Sequence, residues 1–165
     1  MTANVPVVAA NSGTIVNADF TYLNHEGKRA GVERDGLVSL GDVGYLKDGH
    51  LYLCDRRSDM VISAGVNIYP AEIEMVLQQC PGVQDCAVFG IPDAEFGESL
   101  CAAVQPMPGV TLTAEEVRAF LDARLARYKV PRRVDFHASL PREDSGKIFK
   151  RRLRDPFWAE AGRKI

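Results

Sequence analysis

The chain has 165 residues, of which 46% are hydrophobic and 25% are charged, a composition typical of soluble globular domains. The formal net charge is −2, which excludes a general electrostatic attraction to nucleic acid or to an anionic membrane. No stretch reaches the roughly 20 apolar residues that span a bilayer, and residues 1–10 lack the pattern of a secretory signal. The four cysteines show no CxxC pair and no spacing that suits zinc, so we expect reduced thiols in the cytoplasm and no metal site.

The N-terminal third of the chain predicts a β-rich domain. Apolar groups at 15–16 and 20–23 form strand-sized pieces without a core of their own, so we expect them to be loosely ordered or to self-associate. A clearer signal is the hairpin predicted over residues 43–54. Its turn is indicated by Asp48-Gly49, because these residues adopt the positive-φ conformations that a tight hairpin needs.

A polar segment at residues 55–59 predicts the boundary between two domains, 1–55 and 56–165. Beyond it, the apolar periodicity alternates between that of strands and that of helices, in the order β-α-β-β-α-β. We therefore expect an α+β fold of ferredoxin-like type, with two helices on one side of a small three-stranded sheet. The elements of this prediction are a short apolar run at 60–62, a loop at 63–69, a helix that begins at Pro70 and stops at Pro81, strands at 83–91, 100–104 and 133–137, a loop at 92–98, a helix that begins at the capping box of Thr113 and Glu116 and is stopped by Pro131 shortly after Tyr128, and about two helical turns at 150–155.

The clearest candidate for chemistry is Lys147, which follows Gly146 in a polar loop between apolar segments. The glycine lets the backbone turn sharply, and an ammonium at such a tip is suited to phosphate or carboxylate oxygens. A solvated turn lysine without a function is the commoner case. Two weaker candidates are the polar segment 55–59 ahead of the Gly65 loop, which is either a hinge beside a ligand or an ordinary linker, and Asp42, which either binds paired hydroxyls or caps a turn.

The motifs follow one another as Gly41-Asp42, Asp55-Arg56, Gly65 to Glu74, Tyr128-Lys129-Val130-Pro131 and Gly146-Lys147. Their order resembles the closing half of the adenylate-forming superfamily, which includes fatty-acyl-CoA synthetases, aryl-CoA ligases and luciferases. The likeness runs from about residue 31 to residue 153 and is strongest to the acyl-CoA synthetases. A weaker likeness at residues 12–30 indicates that this part continues the family's N-terminal adenylation domain.

This resemblance implies a C-terminal domain, called the lid below, that closes over the active site of an ATP-dependent acyl-CoA synthetase. Lys147 would bridge the carboxylate and phosphate oxygens during adenylation. Asp42 would bind the ribose hydroxyls of ATP or of the acyl-adenylate, and Arg56 would contact the ribose or phosphate. After adenylation the lid would rotate about Ser58 and present the Gly65 loop to CoA, the second substrate.

The resemblance also implies a CoA site with less specific residues. Phe96 would stack the adenine, with Tyr128 and Arg132 nearby, although aromatic side chains are more often buried for packing. We find no phosphate loop or acyl pocket in this sequence, so we expect no activity without a large adenylation domain or subunit as partner. Mg²⁺ is expected for the full enzyme, but no ligand for it is identified here. A non-catalytic binding or regulatory module of the same fold is the alternative prediction, and an inactive structural fragment is a third.

Overall fold

The computed structural model of the protein describes residues 33–34, 37–38 and 41–162. The chain divides into two compact units, Met1–Ser58 and Asp59–Ile165. The boundary that we predicted from the polar segment lies just before this division.

The described part of the first unit consists of antiparallel β-strands. Two short strands, β1 (Glu33–Arg34) and β2 (Leu37–Val38), pair with each other. They are followed by a hairpin of β3 (Asp42–Lys47) and β4 (His50–Arg56). The Asp-Gly pair forms the hairpin turn that its sequence indicates, with φ angles of 51° and 77°. The strand pieces expected at residues 15–23 lie outside the described residues.

The second unit is a sheet with helices, in the predicted β-α-β-β-α-β order with one added strand and one longer helix. The helix expected to run to about Tyr128 ends at Asp122, and a separate 3-10 turn follows it. Its elements are β5 (Val61–Ser63), β6 (Val66–Ile68), α1 (Pro70–Leu77), β7 (Val83–Asp93), β8 (Gly97–Pro106), α2 (Ala114–Asp122), a 3-10 turn (Arg127–Lys129), β9 (Arg133–Phe136) and α3 (Lys150–Glu160). The start of α2 is the predicted capping box. The Thr113 hydroxyl accepts the Glu116 N–H at 3.2 Å, and the Glu116 carboxylate accepts the Thr113 N–H at 2.8 Å.

The central strand of the five-stranded sheet is β8. Along one edge it pairs with β7 in a long antiparallel hairpin. Its other edge is shared, because β5 pairs with it at Ser63 and Gly97 and β9 pairs with it in parallel from Cys101 to Val104. The sheet thus has five strands where three were expected. Its last strand also lies beside β8, whereas a ferredoxin-like sheet would place that strand beside the first. The parallel pairing follows from the crossover through α2, which parallel neighbours require.

Both faces of this sheet are covered. On one face, α1 and α2 bury Ile73, Leu77, Val117 and Leu121 against alternate residues of β7 and β8. On the other face, α3 packs Phe157 against a second buried cluster. The predicted α+β class is confirmed, and α3 adds a layer that the two predicted helices did not include. None of the helices in the described part of the chain is long and apolar enough to cross a bilayer.

Candidate functional site

Lys147 lies in a short hairpin between β9 and α3. A bridge between the first and last residues of segment 142–148 closes this hairpin, and the segment is called the lysine hairpin below. The Glu143 carbonyl accepts the Gly146 N–H at 2.8 Å, and the Glu143 N–H donates to the Lys147 carbonyl at 2.8 Å. Gly146 has a φ of +82°, which glycine adopts without strain. The Gly-Lys pair therefore forms the sharp turn that the sequence predicts.

The Lys147 side chain is exposed. No described residue forms a hydrogen bond or ion pair with its ammonium. The other two described lysines of this unit are paired. Lys129 Nζ lies 2.6 Å from both carboxylate oxygens of Glu72, and Lys150 Nζ lies 2.8 Å from Glu74 Oε1. Lys147 thus differs from these two lysines, because its ammonium has no partner among the described residues.

The Gly65 loop is a two-residue turn between β5 and β6, whereas the sequence predicted an open loop over 63–69. Ala64 and Gly65 have φ angles of +49° and +79°. Two positive φ angles are typical of the two-residue loops that join the strands of a tight hairpin. Ala64 occupies a conformation in which its Cβ is unfavourable. Its N–H donates to the Phe96 carbonyl at 2.9 Å, and this bond holds the Gly65 turn against the turn that joins β7 and β8.

An open groove of about 1040 Å³ lies beside the Gly65 turn. It brings together three of the residues predicted for CoA, namely Phe96, Tyr128 and Arg132, and its lining reaches Ala64. The lining also includes three charged residues that our sequence analysis missed, Arg118, Asp122 and Arg127. Their spacing carries no motif, because the groove is assembled from α2, the 3-10 turn and β5. Arginines outnumber the carboxylate, so the groove is suited to an anionic ligand.

Phe96 and Arg132 contact each other in this groove. The Arg132 guanidinium lies over the Phe96 ring, 4.3 Å from its centroid, and 3.7 Å from Asp93 Oδ2. Asp93 Oδ1 accepts the N–H groups of Glu95 and Phe96, each at 3.0 Å. The hydrogen bond from the Phe96 amide has the largest effect on the pKa of Asp93, which it lowers below the ordinary 3.8. The hydrogen bond from the Glu95 amide and the positive charge of Arg132 lower this pKa further. The Asp93 carboxylate therefore holds both the backbone amide of Phe96 and the guanidinium that lies over the Phe96 ring.

Tyr128 presents an aromatic surface to solvent. Its relative exposure is 55%, so packing does not account for its position in the 3-10 turn. The adjacent Lys129 binds Glu72 of α1, which fixes the turn to the rest of the unit. An exposed ring on a fixed turn, beside arginines, provides a surface on which a flat ligand can stack.

In the first unit, Asp42 and Arg56 are direct cross-strand neighbours in the β3–β4 ladder. Opposite residues of antiparallel strands present their side chains on the same face, so a carboxylate and a guanidinium stand side by side. The Arg57 N–H donates to the Gly41 carbonyl at 2.7 Å and closes the ladder beyond them. Ser58 follows in an exposed turn and is the last residue of this unit. The position predicted as the pivot therefore lies at the division of the chain.

Cys86 and Cys101, two of the three buried cysteines among the described residues, are packing residues. Burial, with the Glu74 and Asp85 charges nearby, raises the pKa of Cys86 to about 12. Burial and the Asp135 carboxylate raise the pKa of Cys101 to about 12. A thiol that stays protonated is a poor nucleophile. Within residues 41–162, no three His, Cys, Asp or Glu side chains are placed to hold a metal ion.

Residues 72–147 match the family model of the AMP-binding enzyme C-terminal domain, and the match ends on the hairpin lysine. A fatty acid–[acyl-carrier-protein] ligase from Streptomyces coeruleorubidus is 44% identical over 132 residues, which are 79% of this chain and 25% of the relative. The long-chain-fatty-acid–CoA ligase of Bacillus subtilis is 41% identical over 133 residues, 80% of this chain and 24% of the relative. Among solved structures, ATP-bound MatB from Rhodopseudomonas palustris matches with a TM-score of 0.75 at 38% identity, covering 79% of this chain and 26% of that one.

The fold and the lysine hairpin define a C-terminal domain of the adenylate-forming type. The chain belongs to the AMP-binding enzyme family and carries its C-terminal domain, as the resemblance of its motifs implied. The two curated relatives described above are named as ligases of fatty acids. The chain spans about a quarter of the length of the curated relatives that it matches.

Proposed function

We propose that this chain is the lid part of an ATP-dependent synthetase, which converts a carboxylic acid first to an acyl-adenylate and then to a thioester with CoA. The observation that carries the proposal is the position of Lys147. Its ammonium is exposed, has no partner among the described residues, and projects from a closed hairpin at the last residue of the family match. Such a charge is directed to a ligand and contributes little to the fold.

In the first step, an oxygen of the substrate carboxylate attacks the α-phosphorus of ATP, forms the acyl–phosphate bond and releases pyrophosphate. Both reactants are anions, so a cation between them holds them together and stabilises the transition state. We assign this role to Lys147, which acts as a fixed charge and transfers no proton. Asp42 would accept hydrogen bonds from the ribose hydroxyls, and Arg56 would contact the ribose or phosphate.

In the second step, the CoA sulfur attacks the acyl carbonyl carbon, and AMP leaves as the thioester forms. Phe96, Tyr128 and Arg132 would bind the CoA nucleotide, because the rings and the flat guanidinium offer stacking surfaces for adenine. The arginine charges suit the CoA phosphates. Gly65 would let the pantetheine arm pass close to the backbone. Rotation of the lid about Ser58 would exchange Lys147 for the Gly65 turn between the two steps.

The proposal includes a partner. A phosphate loop for ATP and an acyl pocket are not among the motifs of this sequence, so the chain would act only with a large adenylation domain or subunit. Mg²⁺ is the usual companion of ATP, but the described residues present no cluster of acidic ligands for it. No step above depends on a metal held by this chain.

The test is complementation of a synthetase that lacks its lid. The full chain is added to the Bacillus subtilis ligase from which the corresponding C-terminal domain has been removed, and acyl-CoA formation is measured with ATP, fatty acid and CoA. We expect the mixture to form acyl-CoA and each part alone to be inactive. Turnover by the purified chain alone would refute its dependence on a partner. If both the mixture and a covalent fusion of the two parts are inactive, the proposed function is wrong.

A substitution at Lys147 separates the synthetase from the alternative, a non-catalytic binding module. Lys147→Ala should abolish the rescue, whereas Arg151→Ala, which removes another exposed cation from the adjoining helix, should retain it. The binding module would be favoured by two results together. The wild-type chain would restore no turnover, and the Lys147→Ala chain would still bind CoA.

A further inference from the structure

Both peptide groups that flank Lys147 are held in place, although its side chain extends into solvent. The Gly146 carbonyl accepts a hydrogen bond from Arg142 Nη1 at 2.8 Å, and the Lys147 carbonyl accepts one from the Glu143 N–H at 2.8 Å. Because a peptide group is planar, each bond fixes the backbone on one side of the Lys147 Cα. The hairpin backbone therefore sets the direction in which the Lys147 Cα–Cβ bond leaves the chain, and with it the region that the ammonium can reach.

Arg142 ties the lysine hairpin to the sheet. Its Nη2 forms a hydrogen-bonded ion pair with Asp85 Oδ2, and the other oxygen of Asp85 accepts the Cys86 N–H at 2.9 Å. The Asp85 side chain is only 20% exposed and lies near the start of β7, where the register with β8 shifts. The planar guanidinium of Arg142 thus joins the Asp85 carboxylate in the sheet to the Gly146 carbonyl in the turn. A lysine ammonium cannot reproduce this fixed arrangement of donors.

A second ion pair anchors the chain just beyond the hairpin. Lys150, the first residue of α3, lies 2.8 Å from Glu74 Oε1, and the same oxygen accepts the Val88 N–H of β7 at 2.6 Å. Both acidic partners, Asp85 and Glu74, thus also accept a hydrogen bond from a backbone amide of β7. Of the two cations, Arg142 is the one that contacts the turn.

We propose that Arg142 is a positioning residue for adenylation: by joining the Gly146 carbonyl to Asp85, it directs the Lys147 ammonium toward the reacting phosphate. The inference rests on the proposed function of Lys147. Without Arg142, the peptide group before Lys147 can rotate while the lysine keeps its charge. A displacement of about 1 Å can lower a rate by about 100-fold, so the loss should fall on the step that uses the lysine.

The test measures the two half-reactions separately, with the full chain added to the lid-deleted ligase. Adenylation is followed by pyrophosphate release, and thioester formation by the use of CoA with supplied acyl-adenylate. Arg142→Ala should lower the kcat of adenylation by about 10- to 100-fold, with the KM for ATP and the rate of thioester formation unchanged within about twofold. Arg142→Lys should be intermediate, and Arg151→Ala should match the wild type. Equal losses in both half-reactions, or full adenylation by Arg142→Ala, would overturn the proposal.

A second measurement tests Arg142 on the chain alone. The Glu143 and Gly146 amides should exchange hydrogen about tenfold faster in Arg142→Ala than in the wild type, while the Trp158 fluorescence of the folded chain is unchanged. Unaltered exchange would overturn the inference whatever the enzyme assay gives. Faster exchange in a chain whose wild type restores no adenylation, either as a separate chain or in the covalent fusion, would refute the proposed function, and with it the role of Arg142 in catalysis.

Discussion

Replacement of Glu74 by alanine should lower the free energy of unfolding by about 3 kcal/mol. The Glu74 carboxylate accepts the Val88 N–H at 2.6 Å and pairs with Lys150 Nζ at 2.8 Å. Val88 is fully buried, so loss of the acceptor for its N–H should cost about 1–3 kcal/mol. The Lys150 side chain is 24% exposed. Its unpaired charge should therefore add only about 1 kcal/mol, since water can reach it.

Two further variants separate these contributions. Glu74→Gln keeps an oxygen that can accept the Val88 N–H and removes only the charge, so it should cost about 1 kcal/mol. Glu115→Ala is the matched control. It removes a glutamate that pairs with Arg118 but is 78% exposed, and exposed pairs of this kind contribute less than about 0.5 kcal/mol.

The assay is urea denaturation followed by the fluorescence of Trp158, the single tryptophan of the chain. This residue reports on the second unit, because its indole N–H donates to the Gly90 carbonyl at 3.0 Å. With a slope near 2 kcal/mol per M, the midpoint for Glu74→Ala should fall by about 1.5 M with the slope unchanged. A midpoint within about 0.3 M of the Glu115→Ala control would show that the Glu74 carboxylate does not hold α1, β7 and α3 together.

Three other outcomes are expected. Gly146→Ala should destabilise the chain by about 1 kcal/mol, because the φ of residue 146 is +82°, a conformation that is strained for alanine. No atom lies within 4 Å of the added Cβ, so a steric clash adds nothing to this cost. An unchanged urea midpoint would contradict this prediction. The half-buried Cys54 should react with Ellman's reagent at pH 8 before the three buried cysteines. A pKa of about 12 leaves Cys86 and Cys101 with about one thiolate in 10,000, and burial also raises the pKa of Cys80. Fast reaction that persists in Cys54→Ser would contradict this order. Arg132→Gln should raise the KM for CoA about tenfold in the complemented enzyme and leave adenylation intact. An unchanged KM would show that CoA does not bind in the groove.

The elements that could be predicted are those whose signals are local. The Asp48-Gly49 turn, the capping box of Thr113 and Glu116, and the helix start at Pro70 all lie where the sequence indicates them. Turns and caps satisfy their backbone groups within a few residues. The residue types in a short window are therefore enough to identify them.

The elements that differ depend on backbone conformations and contacts that the residue types in a short window do not indicate. Segment 63–69 contributes a strand because the hairpin turns at Ala64, and the positive φ of an alanine is not indicated by its type. The loop predicted at 92–98 is only three residues long in the structure, between β7 and β8. The Asp93 carboxylate closes it by accepting two backbone N–H groups of this loop. The last helix continues to Glu160 because Trp158 is buried against β7. Tertiary packing decides the last of these cases.

The candidate site could be predicted only as single motifs in a characteristic order. That order indicated Lys147 and the Gly65 turn, but it did not indicate what holds the lysine hairpin. Arg142 and Asp85, which form the main anchor, are 57 residues apart in the chain. The groove likewise gains Arg127 from the 3-10 turn beside α2. Such groups meet only through the fold, so no spacing in the sequence identifies them.

The most direct test of the claim that Lys147 is the adenylation lysine is the ratio of the two half-reaction rates in a Lys147→Ala chain. In the complemented enzyme, we predict that pyrophosphate release from ATP and fatty acid falls by about 100-fold or more. Thioester formation from supplied acyl-adenylate should stay within about twofold of the wild type. If both rates stay near the wild type, or if both fall together, Lys147 does not act in adenylation as proposed.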